Sequence, residues 1–145
     1  MKLDTLGRHI LVEYYNCNED ILRDPILIEK FMCEAAIEAQ ATIVESCFHH
    51  FNPWGVSGAV IISESHLTIH TWPEYGYAAV DLFTCGDIDP WRGFNHLEKC
   101  LQSEQTESME IPRGLTDKIR RFSSKPLGDI KFKPDFIEAE VGGLK

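Results

Sequence analysis

No apolar run in this sequence is long. In the first twenty residues Glu13 interrupts the apolar stretch before it reaches secretory length, and nothing later approaches the roughly 20 residues of a spanning helix. The expected location is therefore the cytoplasm. There is no C-x-x-C pair: Cys17, Cys33, Cys47, Cys85 and Cys100 are odd in number and widely spaced, which argues against a disulfide framework or a cysteine-built structural zinc site. Gly55, Gly58 and Gly76 fit neither G-x-x-x-x-G-K-[ST] nor a strand-linked G-x-G-x-x-G, so no phosphate loop is expected and these glycines read as turns and close backbone approaches. Basic residues are in deficit, 14 Lys and Arg against 23 Asp and Glu, giving a net charge of −9. That balance disfavours nucleic-acid and anionic-membrane partners and suits a cationic substrate. No internal repeat or low-complexity segment is present.

What remains is a chain of 145 residues, 43% hydrophobic, enough for a single domain, 1–145, with one core. Arg8 to Tyr15 is rich in β-branched and aromatic residues and reads as a strand, with a turn from Asn16 to Asp20. Asp24-Pro25 is a helix start, and Ile28, Phe31, Met32, Ala35, Ala36 and Ala39 form one buried face of a helix over Pro25 to Gln40. Thr42 to Phe51 reads as a strand, Asn52-Pro53-Trp54-Gly55 as a turn, and Val56 to Ile62, His66 to Trp72 and Ala78 to Thr84 as further strands. Asp89-Pro90 repeats the helix-start signal, continued by Trp91, Phe94, Leu97 and Leu101; Trp91 reads as core. After Pro112 the chain turns basic and irregular, a variable tail over 112–145 with one short helix around Thr116 to Phe122. The order β-α-β-β-β-β-α predicts an α+β fold, a two-layer sandwich of mostly antiparallel sheet with helices on one face.

The chemistry is concentrated in Gly55-Val-Ser-Gly-Ala-Val-Ile-Ile-Ser-Glu-Ser-His-Leu-Thr-Ile-His-Thr-Trp-Pro-Glu-Tyr-Gly-Tyr and in Asp81-Leu-Phe-Thr-Cys-Gly-Asp. With Gly7-Arg-His, Phe48-His-His-Phe and Asp89-Pro90-Trp91, these segments make residues 6 to 111 resemble the bacterial-type, pyruvoyl-dependent S-adenosylmethionine decarboxylase proenzymes. The tail after Pro112 carries none of the resemblance.

The resemblance implies an enzyme, a carboxy-lyase, that cuts its own backbone between Glu64 and Ser65 into 1–64 and 65–145. The Ser65 hydroxyl would attack the Glu64 carbonyl through a five-membered ring, and elimination would leave a pyruvoyl group at Ser65. Its ketone would form a Schiff base with the substrate amine, so neither pyridoxal phosphate nor a metal is expected. His70 matches the family's processing base, Ser57 its supporting serine and Cys85 its proton donor; a thiol of ordinary pKa near 8.5 keeps its proton at neutral pH. The implied reaction turns S-adenosylmethionine into decarboxylated S-adenosylmethionine (S-adenosylmethioninamine) and CO2 for spermidine and polyamine synthesis. For the substrate, Phe51 and Trp72 offer aromatic faces to adenine or the sulfonium, and Glu74 offers acceptors to the ribose hydroxyls.

Strand geometry complicates this picture. Ser65 and His70, five residues apart in an extended strand, point to opposite sides and stand roughly 16 Å apart. Either the chain bends at Glu64-Ser65, or His70 and Ser57 serve the cleavage site of a second protomer. The family's habit of forming dimers favours a homodimer with shared active sites. Metal ligation by His66 and His70 is disfavoured, since four strand residues separate them by roughly 13 Å. His49 and His50 face opposite ways; His9, His49, His50 and His96 are expected to be structural or beside the substrate. Cys33 and Cys100, on apolar helix faces, are expected to act as small hydrophobes. Two other functions stay open: the same pyruvoyl chemistry on arginine or ornithine, and a non-cleaving regulatory binding domain of the same fold.

Overall fold

The computed structural model describes residues 4–122. Its strands are β1 (Thr5–Tyr15), β2 (Ile43–His50), β3 (Val56–Ile62), β4 (Ser65–Trp72), β5 (Tyr77–Thr84) and β6 (Gln105–Leu115). The helices are α1 (Glu19–Leu22), α2 (Pro25–Glu38), α3 (Pro90–Cys100) and α4 (Thr116–Phe122). The strands form one antiparallel sheet in the order β2-β3-β4-β5-β1-β6. The expected α+β sandwich is what forms.

Period-two alternation decides which face is covered. Ile10, Val12 and Tyr14 of β1, Val60 and Ile62 of β3, Leu67 and Ile69 of β4, and Val80 and Leu82 of β5 are buried with Ile28, Met32, Phe94 and Leu97 of α2 and α3. The Tyr14 hydroxyl, fully buried, donates to the Phe94 carbonyl at 2.8 Å, fastening sheet to helix. At Gly58 an added Cβ would lie 1.9 Å from the Phe48 ring, so glycine is what lets that side chain cross β3.

Two expectations change. The chain just after Pro112 is not irregular: residues 113–115 complete β6, which pairs with β1 from Thr5↔Leu115 to Tyr15↔Gln105. Its inward residues include Ser108 and Glu110, whose carboxylate accepts from Arg8 at 2.6 and 3.0 Å, so an edge strand was hidden by a polar inner side. The expected short helix over 116–122 forms as α4; the rest of the expected tail, 123–145, lies outside the described residues. The turn expected over Asn16 to Asp20 contains the start of α1, capped by Asn18, whose side chain accepts from the Asp20 and Ile21 amides. Among the described residues no helix is long and apolar enough to cross a membrane.

Candidate active site

Among the described residues, none forms a layer over the face of the sheet away from the helices. This face presents His9, Leu11 and Glu13 of β1, Ser57, Ala59 and Ile61 of β3, His66, Thr68, His70 and Trp72 of β4, Tyr77, Ala79, Asp81 and Phe83 of β5, and Met109 and Ile111 of β6. Leu11, Ile61, Trp72, Met109 and Ile111 are all more than a third exposed.

The expected catalytic residues fall into two groups at opposite ends of the hairpin formed by β3 and β4. At one end the register sets Ser57 opposite His70, and the Ser57 hydroxyl lies 2.8 Å from His70 Nδ1. Trp72 stands beside this pair, its ring 6.4 Å from the His70 ring and stacked 5.3 Å from Tyr77. His49 is opposite Ser57 on β2, and its ring meets Phe51 at 4.5 Å. Phe51 and Trp72, 53% and 40% exposed, are thus open aromatic faces around the pair rather than core. Glu74 lies exposed in the 3₁₀ turn Pro73–Tyr75 that follows β4.

At the other end, Ser63 and Glu64 form the tight connection between β3 and β4, and Ser65 opens β4 opposite Ile62. The Cys85 thiol, just beyond β5, lies 3.4 Å from the Glu64 carbonyl oxygen and 3.3 Å from its carboxylate. The Ser65 hydroxyl is buried with no hydrogen-bond partner among the described residues, a costly condition for a polar group. Ser65 and His70 belong to one extended strand, so the parity expected between them holds: Ser65 shares the parity of buried Leu67 and Ile69, whereas His70 faces outward.

Sequence reasoning gave no role to the group in the middle of the open face. Asp81 Oδ2 accepts from His9 Nε2 at 2.6 Å and lies 3.4 Å from His66 Nε2, while its other oxygen accepts from Thr68. Arg113 of β6 donates to His9 Nδ1 at 2.9 Å. A guanidinium only donates, so His9 Nδ1 must supply the lone pair and Nε2 carries the proton directed at Asp81. Burial opposes ionisation of Asp81, but the hydrogen bonds from Thr68 and His9 and the neighbouring His66 outweigh it and hold the carboxyl below its usual range. These residues come from four strands; only the register brings them together. Cys100 also departs from expectation, lying half-buried against His96 on the outer side of the helix layer.

Similarity to known proteins decides the family. The family described as S-adenosylmethionine decarboxylase matches residues 8–114. The chain belongs to this family. The S-adenosylmethionine decarboxylase proenzyme of Thermosipho melanesiensis is 60% identical over 118 residues, covering 81% of this chain and 91% of the relative. The proenzyme of the same name from Thermotoga maritima is 57% identical over the same length and coverage. Among solved structures, the adenosylmethionine decarboxylase of Aquifex aeolicus superposes with a TM-score of 0.72 at 33% identity, covering 77% of this chain and 93% of that one. A Trypanosoma brucei decarboxylase monomer, at 12% identity and a TM-score of 0.54, shares the fold alone.

Proposed function

We propose that this S-adenosylmethionine decarboxylase is a proenzyme that cuts itself between Glu64 and Ser65, giving fragments 1–64 and 65–145, and then decarboxylates S-adenosylmethionine to S-adenosylmethioninamine and CO2 for spermidine synthesis. The observation that carries this reading is the cleavage site itself: a buried, unpartnered Ser65 hydroxyl beside a Glu64 carbonyl that faces the Cys85 thiol.

Ser65 Oγ adds to the carbonyl carbon of Glu64, and departure of its own nitrogen converts the amide to an ester. A base then removes the Ser65 α-proton and the ester Cβ–O bond breaks with Glu64 leaving as a carboxylate; the dehydroalanine left behind tautomerises to an imine, which a water molecule hydrolyses, releasing ammonia and leaving the pyruvoyl ketone at the new terminus. The residues present fit that group, since the orphaned Ser65 hydroxyl and the Cys85 thiol already stand at its position. When formed, the pyruvoyl carbonyl supplies an electron sink for the substrate amine, the role pyridoxal phosphate fills elsewhere. Cys85 keeps a proton on Sγ at that bond and delivers it to the substrate carbon after CO2 departs. Phe51 and Trp72 hold the adenine and sulfonium by stacking and cation attraction, and Glu74 accepts from the ribose.

His70 is the processing base, with Ser57 holding its ring. Along β4 it stands about 16 Å from Ser65 of the same chain, so in this proposal each site joins Ser65, Glu64 and Cys85 of one protomer to Ser57 and His70 of its partner. Exposed Leu11, Ile61, Met109 and Ile111 support a homodimer closed over the open face, because a two-fold axis through that face sets each end of the hairpin against the opposite end of its mate. All five cysteines are thiols, which supports a cytoplasmic setting.

Release of labelled CO2 tests the substrate. S-adenosylmethionine is expected to give CO2 and borohydride in its presence to trap a substrate adduct on fragment 65–145, while arginine and ornithine give neither; release from arginine alone would overturn the assignment.

A further inference from the structure

The outer surface of the helix layer, on the far side of the sheet from the residues discussed above, gathers a second set of ligating side chains. His96 and Cys100 are four residues apart on α3 and so project from the same face, one turn apart. Glu34 comes from α2. His96 Nε2 lies 3.3 Å from Cys100 Sγ and 3.6 Å from Glu34 Oε1, and all three ligand atoms are within 4.8 Å of one another. In a tetrahedral zinc site, bonds of about 2.0–2.3 Å put neighbouring ligand atoms about 3.3–3.6 Å apart, the spacing His96 Nε2 shows to both of its partners. The backbones are held at the distance this requires: a Cβ at Gly93 would lie 2.8 Å from the Ala35 carbonyl, so α3 rests directly on α2.

We propose that Glu34, His96 and Cys100 form a site for a divalent zinc-class ion that clips α2 to α3, with water as the fourth ligand. The side chains of His96 and Glu34 are 28% and 37% exposed, which leaves a route for the ion and room for that water. On binding, the thiol proton passes to solvent and the thiolate sulfur takes its place on the metal. The neighbouring cation Lys30, one turn before Glu34, has the length to swing clear into solvent.

The grouping of His9, His66 and Asp81 on the open face satisfies the same distance criterion but differs chemically. There Arg113 occupies the Nδ1 lone pair of His9, so Nε2 bears hydrogen and offers nothing to a cation, and the guanidinium adds a repelling charge.

Cobalt(II) titration of the purified full chain reads the site through thiolate-to-cobalt absorption. The expected result is one cobalt per chain with a thiolate band, displaced by zinc, and a Tm that climbs with zinc concentration and returns on chelation. Cys100→Ser should abolish the band, and His96→Gln should weaken binding by more than the roughly 10- to 100-fold that loss of an outer-shell partner costs. Cys47→Ser and Cys85→Ser should bind as the parent does. Absence of a thiolate band at saturating cobalt, its survival in Cys100→Ser, or its loss in Cys47→Ser or Cys85→Ser would each overturn the proposal. None of these readouts depends on cleavage or decarboxylation.

Discussion

The carboxylate of Asp81 collects Thr68 and His9 as donors and has His66 close by, which lowers its pKa despite burial. A carboxyl depressed in the folded chain adds stability above its unfolded value, about 3.9, and that contribution fades as the pH falls through the lower folded value. Asp81→Asn removes the titration, so its stability is expected to fall less steeply than the parent's in urea melts taken below about pH 4. An acid slope equal to the parent's would show that the network carries no linked proton. Asp81 stands within the Asp81-to-Asp87 segment that marked the sequence as informative, yet its role was not legible there. The partners sit at positions 9, 66, 68 and 113, and only a sheet order that places β5 between β4 and β1, with β6 next to β1, makes them neighbours. By contrast Cys85, Ser57 and His70 were singled out through the family pattern, and the structure adds the contact between Ser57 and His70.

Both long helices begin at Asp-Pro, but the two aspartates differ. Asp24 accepts from the Ile26 and Leu27 amides at 3.0 and 3.2 Å, whereas Asp89 makes no side-chain capping bond. Asp24→Ala is expected to cost about 1 kcal/mol in chemical denaturation and Asp89→Ala distinctly less; equal losses would mean the cap at Asp24 contributes nothing specific. The starts of α2 and α3 were readable because proline and a preceding acidic residue act locally. Strands β2 to β5 were readable for a similar reason, as short β-rich runs between turn residues. β6 was not, because Gln105, Thr106, Glu107 and Ser108 show no apolar alternation, and its pairing with β1 spans most of the chain. Register in such an edge strand comes from contacts such as Arg8 to Glu110, which periodicity does not encode.

Among the described residues one sheet face is packed by α2 and α3 and the other carries exposed apolar side chains, the face on which the proposed dimer would close. Strand parity, already evident in the spacing of Ser65 and His70, leaves His70, the proposed processing base, on that open face and away from its own Ser65. Mixing chains carrying Ser65→Ala with chains carrying His70→Ala should restore cleavage in the heterodimer, because one of its two composite sites is intact; failure of every mixture to cleave would return both residues to a single chain.

The most direct test is the intact mass of the purified chain under denaturing conditions. The parent is expected to separate into fragment 1–64, ending at Glu64, and fragment 65–145 with a blocked, serine-derived terminus, while Ser65→Ala stays whole. A single species of 16.5 kDa from the parent after long incubation would contradict self-cleavage.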